Sequence, residues 1–200
     1  MDDSTAADGR EGGGRGGGAV QCVFFDYDST ITCPQFLERF NAWAISDKPL
    51  VLEMSHEEIL ANFGGEARIE ALKTMLGRLC TAGIHLYIIS IGLKRCILPH
   101  LEAVGLLQYF PASNIFGQDS PELRAHKCLK GKLIVQIMEA HAWRFEHVLY
   151  VDDSVRHIEG AQGVCRTQQG PQGGLSVLLL QDLLRTCLPG SAAAAGEGGG

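Results

Sequence analysis

The apolar positions of this chain fall into short continuous runs separated by longer periodic stretches. Residues 21–26 read Gln-Cys-Val-Phe-Phe-Asp, an apolar run that ends abruptly in a carboxylate, and 84–90 and 148–151 are runs of the same kind. Short runs with no polar alternation are the mark of strands covered on both faces. Between the first two, Ile69, Leu72, Leu76 and Leu79 recur at spacings of three and four, which predicts a helix over 66–82 stopped by Gly83. A second helix is predicted over 93–106, with Pro99 kinking it or marking where its regular part begins. Residues 113–117 predict a short strand, and Leu133, Ile134, Ile137 and Met138 form one face of a further helix. The last element, 175–187, is apolar at Leu175, Leu178, Leu179 and Leu183 and is read as a packing helix.

Strands and helices in alternation define an α/β chain: a doubly wound, Rossmann-like parallel sheet with helices on both faces. Residues 31–65 break the alternation. Phe36, Leu37, Phe40 and Trp43 suggest one short helix and 56–63 another, so the stretch is read as a short helical insertion after the first strand. In an open parallel sheet the ligand crevice lies beyond the carboxyl ends of the strands, and an insertion there is placed to roof it.

Composition trims this picture at both ends. Residues 1–18 are glycine-rich and 188–200 are rich in alanine and glycine, and both are expected to be disordered tails around a folded domain at 19–187. Of the net charge of −6, the tails carry half: Asp2, Asp3, Asp8, Glu11 and Glu197 against Arg10 and Arg15. A mildly acidic domain without a lysine and arginine stripe is a poor match for a nucleic-acid backbone, so no nucleic-acid partner is expected. Seven cysteines, an odd count with no C-x-x-C, read as reduced thiols. With no basic-then-apolar leader and no apolar run long enough to span a bilayer, the expectation is a cytoplasmic chain with no membrane partner. The sequence leaves the oligomeric state open.

Three strands end in polar groups: Asp26-Tyr27-Asp28-Ser29-Thr30, Ser90, and Asp152-Asp153. Parallel strands bring all of these to one edge. Carboxylates gathered there repel one another unless a cation sits among them, and hard oxygen donors suit Mg²⁺, which binds through a few carboxylates, waters and a substrate phosphate. Taken singly, the acids at 26 and 28 also fit a strand-end turn, while Ser90 and the pair at 152–153 fit helix caps. No G-x-G-x-x-G follows the first strand, no G-x-x-x-x-G-K-S/T occurs, and the histidines lack a zinc-site spacing. A phosphorylated receiver would carry its acid pair on the first strand and a lone acceptor later, the inverse of the order here.

In order and spacing, Phe25-Asp26-Tyr27-Asp28-Ser29-Thr30-Ile31, Ile88-Ile89-Ser90, Lys130 and Tyr150-Val151-Asp152-Asp153-Ser154 resemble the haloacid dehalogenase-like superfamily. Its signature is D-x-D-x-T, then a Ser or Thr, a Lys and an acidic pair. The resemblance implies a phosphatase in which Asp26 is the nucleophile, forming an aspartyl-phosphate, and Asp28 the general acid and base. It implies that Ser90, Lys130 and Thr30 contact the substrate phosphate, with Lys130 favoured over its neighbours Lys127 and Lys132. Mg²⁺ is the implied cofactor, held by Asp26, Asp28 (through its carbonyl) and the pair, with Asp153 the direct ligand and Asp152 supporting it. Lys94 and Arg95 are read as solvated. The expected substrate is a phosphorylated small molecule or a phosphoprotein, since an insertion this short suits an open site. A catalytically inactive binding module of the same fold and a phosphotransferase or mutase are the alternatives.

Overall fold

A computed structural model describes residues 19–34 and 53–188. Strands β1 (Cys22–Phe25), β2 (His85–Ile89), β3 (Ile115–Phe116), β4 (Val148–Asp152) and β5 (Arg166–Gln169) form one sheet in the order β3-β2-β1-β4-β5, parallel throughout. The strand residues divide by parity. Val23, Phe25, Leu86, Ile88, Leu149 and Val151 enter one core, and Cys22, Phe24, Tyr87, Ile89, Val148 and Tyr150 enter the other. Side chains alternate between faces along a strand, so an unbroken apolar run supplies both cores at once.

The first core packs against α1 (His56–Asn62), α2 (Glu66–Thr81), α3 (Lys94–Ala103) and α7 (Val177–Cys187). The second packs against α4 (Pro121–Ala125), α5 (Lys130–His141) and α6 (Val155–Glu159). The chain passes from β1 outward to β2 and β3, then returns across β1 to place β4 and β5 on its other side. The direction of winding therefore reverses between β1 and β4, and the carboxyl ends of those two strands flank the crevice that such a reversal opens.

The predicted helix over 66–82 forms, with Ile69, Leu72, Leu76 and Leu79 all buried. Three expectations change. Helix α3 is regular from Lys94, with Pro99 inside it, so of the two readings of Pro99 the one in which it marks where the regular part begins does not hold. Helix α7 turns Leu178 outward at 71% exposure and buries Leu180, Leu183 and Leu184, one step round from the anticipated face. Strand β5 and helix α4 were not anticipated, β5 being a polar, half-exposed edge (Arg-Thr-Gln-Gln) with no apolar signal. Of the 31–65 insertion, the helix expected at Phe36, Leu37, Phe40 and Trp43 lies outside the described residues, as do the tails at 1–18 and 189–200. The second helix is α1, opened by a capping box between Ser55 and Glu58, and its Ile59 joins the first core together with Phe63. All seven cysteines are free, and no described helix is long and apolar enough to cross a membrane.

Candidate active site

Strand β1 ends on Asp26, whose N–H is bound to the Val151 carbonyl at 2.9 Å, so its position is fixed by the neighbouring strand. The chain then makes a tight turn over Tyr27–Ile31 in which Ser29 takes a left-handed conformation (φ 59°). Thr32 staples the turn. Its hydroxyl donates to the Tyr27 carbonyl at 3.1 Å and accepts from the Ser29 N–H at 3.2 Å. Tyr27 is buried beneath, edge-on to Phe63.

Lys130, the first residue of α5, is buried, and its Nζ donates to Asp26 Oδ1 at 2.5 Å and to Asp152 Oδ2 at 2.7 Å. That separates it from Lys127 and Lys132, which are exposed. Asp28 points to another strand end: Ser90 Oγ donates to its Oδ2 at 3.0 Å and accepts the Gly92 N–H at 2.8 Å. Ser90 does not cap α3, because Asp119 Oδ1 reaches across to accept the Lys94 N–H at 2.6 Å. Of the two residues read as solvated, Arg95 is exposed, whereas Lys94 is half-buried and its Nζ donates to the Ala112 carbonyl at 2.7 Å.

Asp152 is fully buried and surrounded by donors. Lys130 and the Tyr150 hydroxyl meet Oδ2, the Ser154 N–H meets Oδ1 at 2.8 Å, and His157 Nδ1 stands 3.2 Å from Oδ2. Asp153 is only half-buried and faces Asp26 and Asp152: one ligand oxygen from each of the three lies within 4.8 Å of the others. Thr30 sits in the turn with its carbonyl engaged by Leu175 N–H and by Arg68, while its buried hydroxyl has no hydrogen-bond partner among the described residues.

These surroundings pull the acids apart. Burial raises the Asp26 carboxyl from its ordinary 3.8 to about 8, against the pull of Lys130. Burial also raises Asp28, opposed by the Ser90 hydrogen bond and by Lys130, and it raises Asp153, with Asp152 adding repulsion. Asp152 moves the other way: burial opposes its charge, but His157, Lys130 and Tyr150 hold it well below the usual carboxylate range. Lys130 is raised, since Asp26 and Asp152 outweigh the burial that disfavours its charge.

A single ammonium cannot neutralise four acids. Three hard oxygen donors within 4.8 Å of one another, two of them with acidity weakened by burial and by neighbouring negative charge, fit a small divalent cation that would offset that charge. Asp26, Asp28, Ser90, Lys130, Asp152 and Asp153, chosen from the sequence, thus converge on one sheet edge. Tyr150 and His157 were missed. Tyr150 lies two residues before Asp152 on the same strand face, a signal the period-two rule carries, whereas His157 had no spacing to single it out.

No family model matches the sequence, and no curated protein matches it. Solved structures do match its fold. A protein assigned as a phosphatase from Clostridium difficile superposes with a TM-score of 0.54 at 16% identity, over 84% of this chain and 99% of that one. A haloacid dehalogenase-like family hydrolase from Streptococcus pneumoniae does so with a TM-score of 0.51 at 17% identity, over 81% and 90%. A protein assigned as a β-phosphoglucomutase from Thermotoga maritima gives 0.51 at 13% identity, over 84% and 100%.

Proposed function

From a chain with the haloacid dehalogenase-like fold, we propose a Mg²⁺-dependent phosphatase that hydrolyses phosphate monoesters through an aspartyl-phosphate on Asp26. The observation that carries the reading is the division between two carboxylates two residues apart: Asp26 on Lys130, Asp28 on Ser90. In such a site an Asp26 oxygen attacks phosphorus in line with the leaving oxygen. Asp28, whose hold on a proton burial strengthens, gives that proton to the leaving alkoxide and, as the carboxylate, then takes one from the water that cleaves the acyl-phosphate. Ser90 and Lys130 hold phosphoryl oxygens, and the Lys130 ammonium meets the charge that develops on them.

Asp26, Asp153 and the Asp28 carbonyl would hold the Mg²⁺, with Asp152 bracing Lys130 and the strand end beside them. When bound, the ion supplies positive charge to the phosphoryl oxygens. The substrate class is a phosphate monoester borne by a small molecule or a protein, and the seven free thiols suit a cytoplasmic setting.

The test is hydrolysis of an aryl phosphate with Mg²⁺, with EDTA, and by Asp26→Asn. Turnover that disappears in both the variant and the chelator supports the reading. Turnover that survives Asp26→Asn overturns the aspartyl-phosphate. A wild type that binds neither Mg²⁺ nor inorganic phosphate overturns the enzyme.

A further inference from the structure

Arg68 lies in the first turn of α2 at 8% exposure, and it spends its guanidinium on the main chain. Nη1 donates to the Ile31 carbonyl at 2.6 Å and to that of Phe63 at 2.8 Å, Nη2 to Thr30 at 2.9 Å, and Nε to Leu175 at 2.9 Å. The four carbonyls belong to three segments: the turn that follows Asp26, the end of α1, and the loop before α7. A buried cation is expensive, and these carbonyls offer dipoles in place of a full counter-charge. A planar fork with five N–H groups in fixed directions can meet such a set; a lysine, with a compact ammonium, cannot match its geometry.

The surroundings are cleared for that fork. Gly64 and Gly174 both have φ near +80° (81° and 79°), and a β-carbon at Gly64 would fall 2.9 Å from Arg68 Cδ and 2.8 Å from Cys33 Sγ. One at Gly174 would fall 2.8 Å from the Thr32 carbonyl and 3.3 Å from Arg68 Nη2. Two backbone positions that L side chains rarely adopt therefore border one side chain. The clamp meets the Asp26 turn at its far end, beyond the left-handed Ser29, where the Leu175 N–H also donates to the Thr30 carbonyl at 3.3 Å.

We propose that Arg68 is a positioning residue for the reaction, fixing from behind the turn that aims Asp26 and Asp28. The claim rests on the phosphatase reading for its kinetic consequence, but its structural consequence can be read without turnover. A displacement of about 1 Å in a reacting group costs about 10²-fold in rate. Arg68→Lys keeps the charge and loses the fork, and lowers kcat on an aryl phosphate by about that factor while leaving KM within about threefold.

The experiment joins this kinetic split to amide hydrogen exchange on the full chain, wild type against Arg68→Lys, with Arg68→Met as a second variant. Faster exchange in the peptide spanning 26–32, with peptides of α5 and β5 unchanged, is the expected result in both. Equal acceleration everywhere would make Arg68 a stability residue only, and unchanged exchange at 26–32 would overturn the proposal. An inactive wild type that still shows the local change would count against the phosphatase and for the clamp. An active Arg68→Lys with wild-type kcat would count against the clamp alone.

Discussion

Ser90 Oγ and Asp28 Oδ2 are 3.0 Å apart, and the same hydroxyl accepts the Gly92 N–H, so the serine proton is directed at the carboxylate. Gly92 allows this approach: a β-carbon there would fall 3.0 Å from Asp28 Oδ2 and 3.1 Å from Ser90 Oγ. The pair ties the first and second strand ends together, with Asp28 hydrogen-bonded to Ser90 while Lys130 hydrogen-bonds Asp26 and Asp152. An acid and a nucleophile two residues apart thereby have different hydrogen-bond partners.

Asp28→Asn is therefore expected to lower kcat by about 10² to 10⁴-fold, the usual worth of a positioned acid and base. Mg²⁺ binding survives it, because the carbonyl of residue 28 is unchanged. Steady-state kinetics with a parallel metal titration checks both halves, and unchanged turnover would remove Asp28 from the chemistry.

Lys130 gives a stability prediction. Its ammonium is buried against Asp26 and against Asp152, which is held ionised, and taking it away leaves the buried Asp152 charge uncompensated, at a cost of about 3–5 kcal/mol. Lys130→Met should lower the denaturation midpoint accordingly in EDTA, and Mg²⁺ should recover part of the loss by binding the folded state. Lys127→Met and Lys132→Met, both at exposed positions, should leave the midpoint within about 0.5 kcal/mol of wild type. Equal effects from all three would contradict the assignment.

What could be read from the sequence follows the physics of burial. β1 and β4 are covered on both faces, so their sequences are apolar without interruption and end visibly at Asp26 and Asp152. β5 is an edge strand of Arg-Thr-Gln-Gln, which pairs through its backbone and leaves no apolar trace. Lys130 could be ranked but not isolated among three lysines, since only the start of α5 decides which side chain points inward. Arg68 was invisible for a related reason: an arginine beside an apolar stripe looks solvated until the carbonyls it meets are brought in from three segments, two of them distant in sequence.

The acids set a pH dependence. The Asp26 carboxyl, raised by burial from 3.8 to about 8, stays protonated in the folded, metal-free chain across a window where the unfolded chain has released that proton. The folded state binds more protons there, so the stability Asp26 contributes is full below about pH 4 and is lost as pH rises towards 8. Asp152, held low, acts in the opposite sense and only at pH below its ordinary range. A metal needs the ionised carboxylate, so Mg²⁺ affinity rises through the same window and binding releases protons. Calorimetric titration in two buffers of different ionisation enthalpy measures the release, and identical heats after dilution correction in both would contradict it.

Gly131 offers a test of how closely the Lys130 site depends on helix packing. It follows Lys130 in α5, and a β-carbon on it would lie 2.3 Å from the Gly160 carbonyl oxygen at the end of α6. Backbone, not a flexible side chain, is in the way, so Gly131→Ala must push the start of α5 from α6. Over-packing of this kind costs about 1–3 kcal/mol. The same shift draws Lys130 Nζ from Asp26 and Asp152, and at about 1 Å of displacement turnover falls by about 10²-fold, more than the stability loss alone would give at assay temperature. Gly173→Ala, where a β-carbon meets nothing within 4 Å, is the matched control and should leave both quantities unchanged. Thermal denaturation and aryl phosphate kinetics on the two variants decide the point: a Gly131→Ala chain with wild-type midpoint and turnover would show that α5 can move without disturbing Lys130.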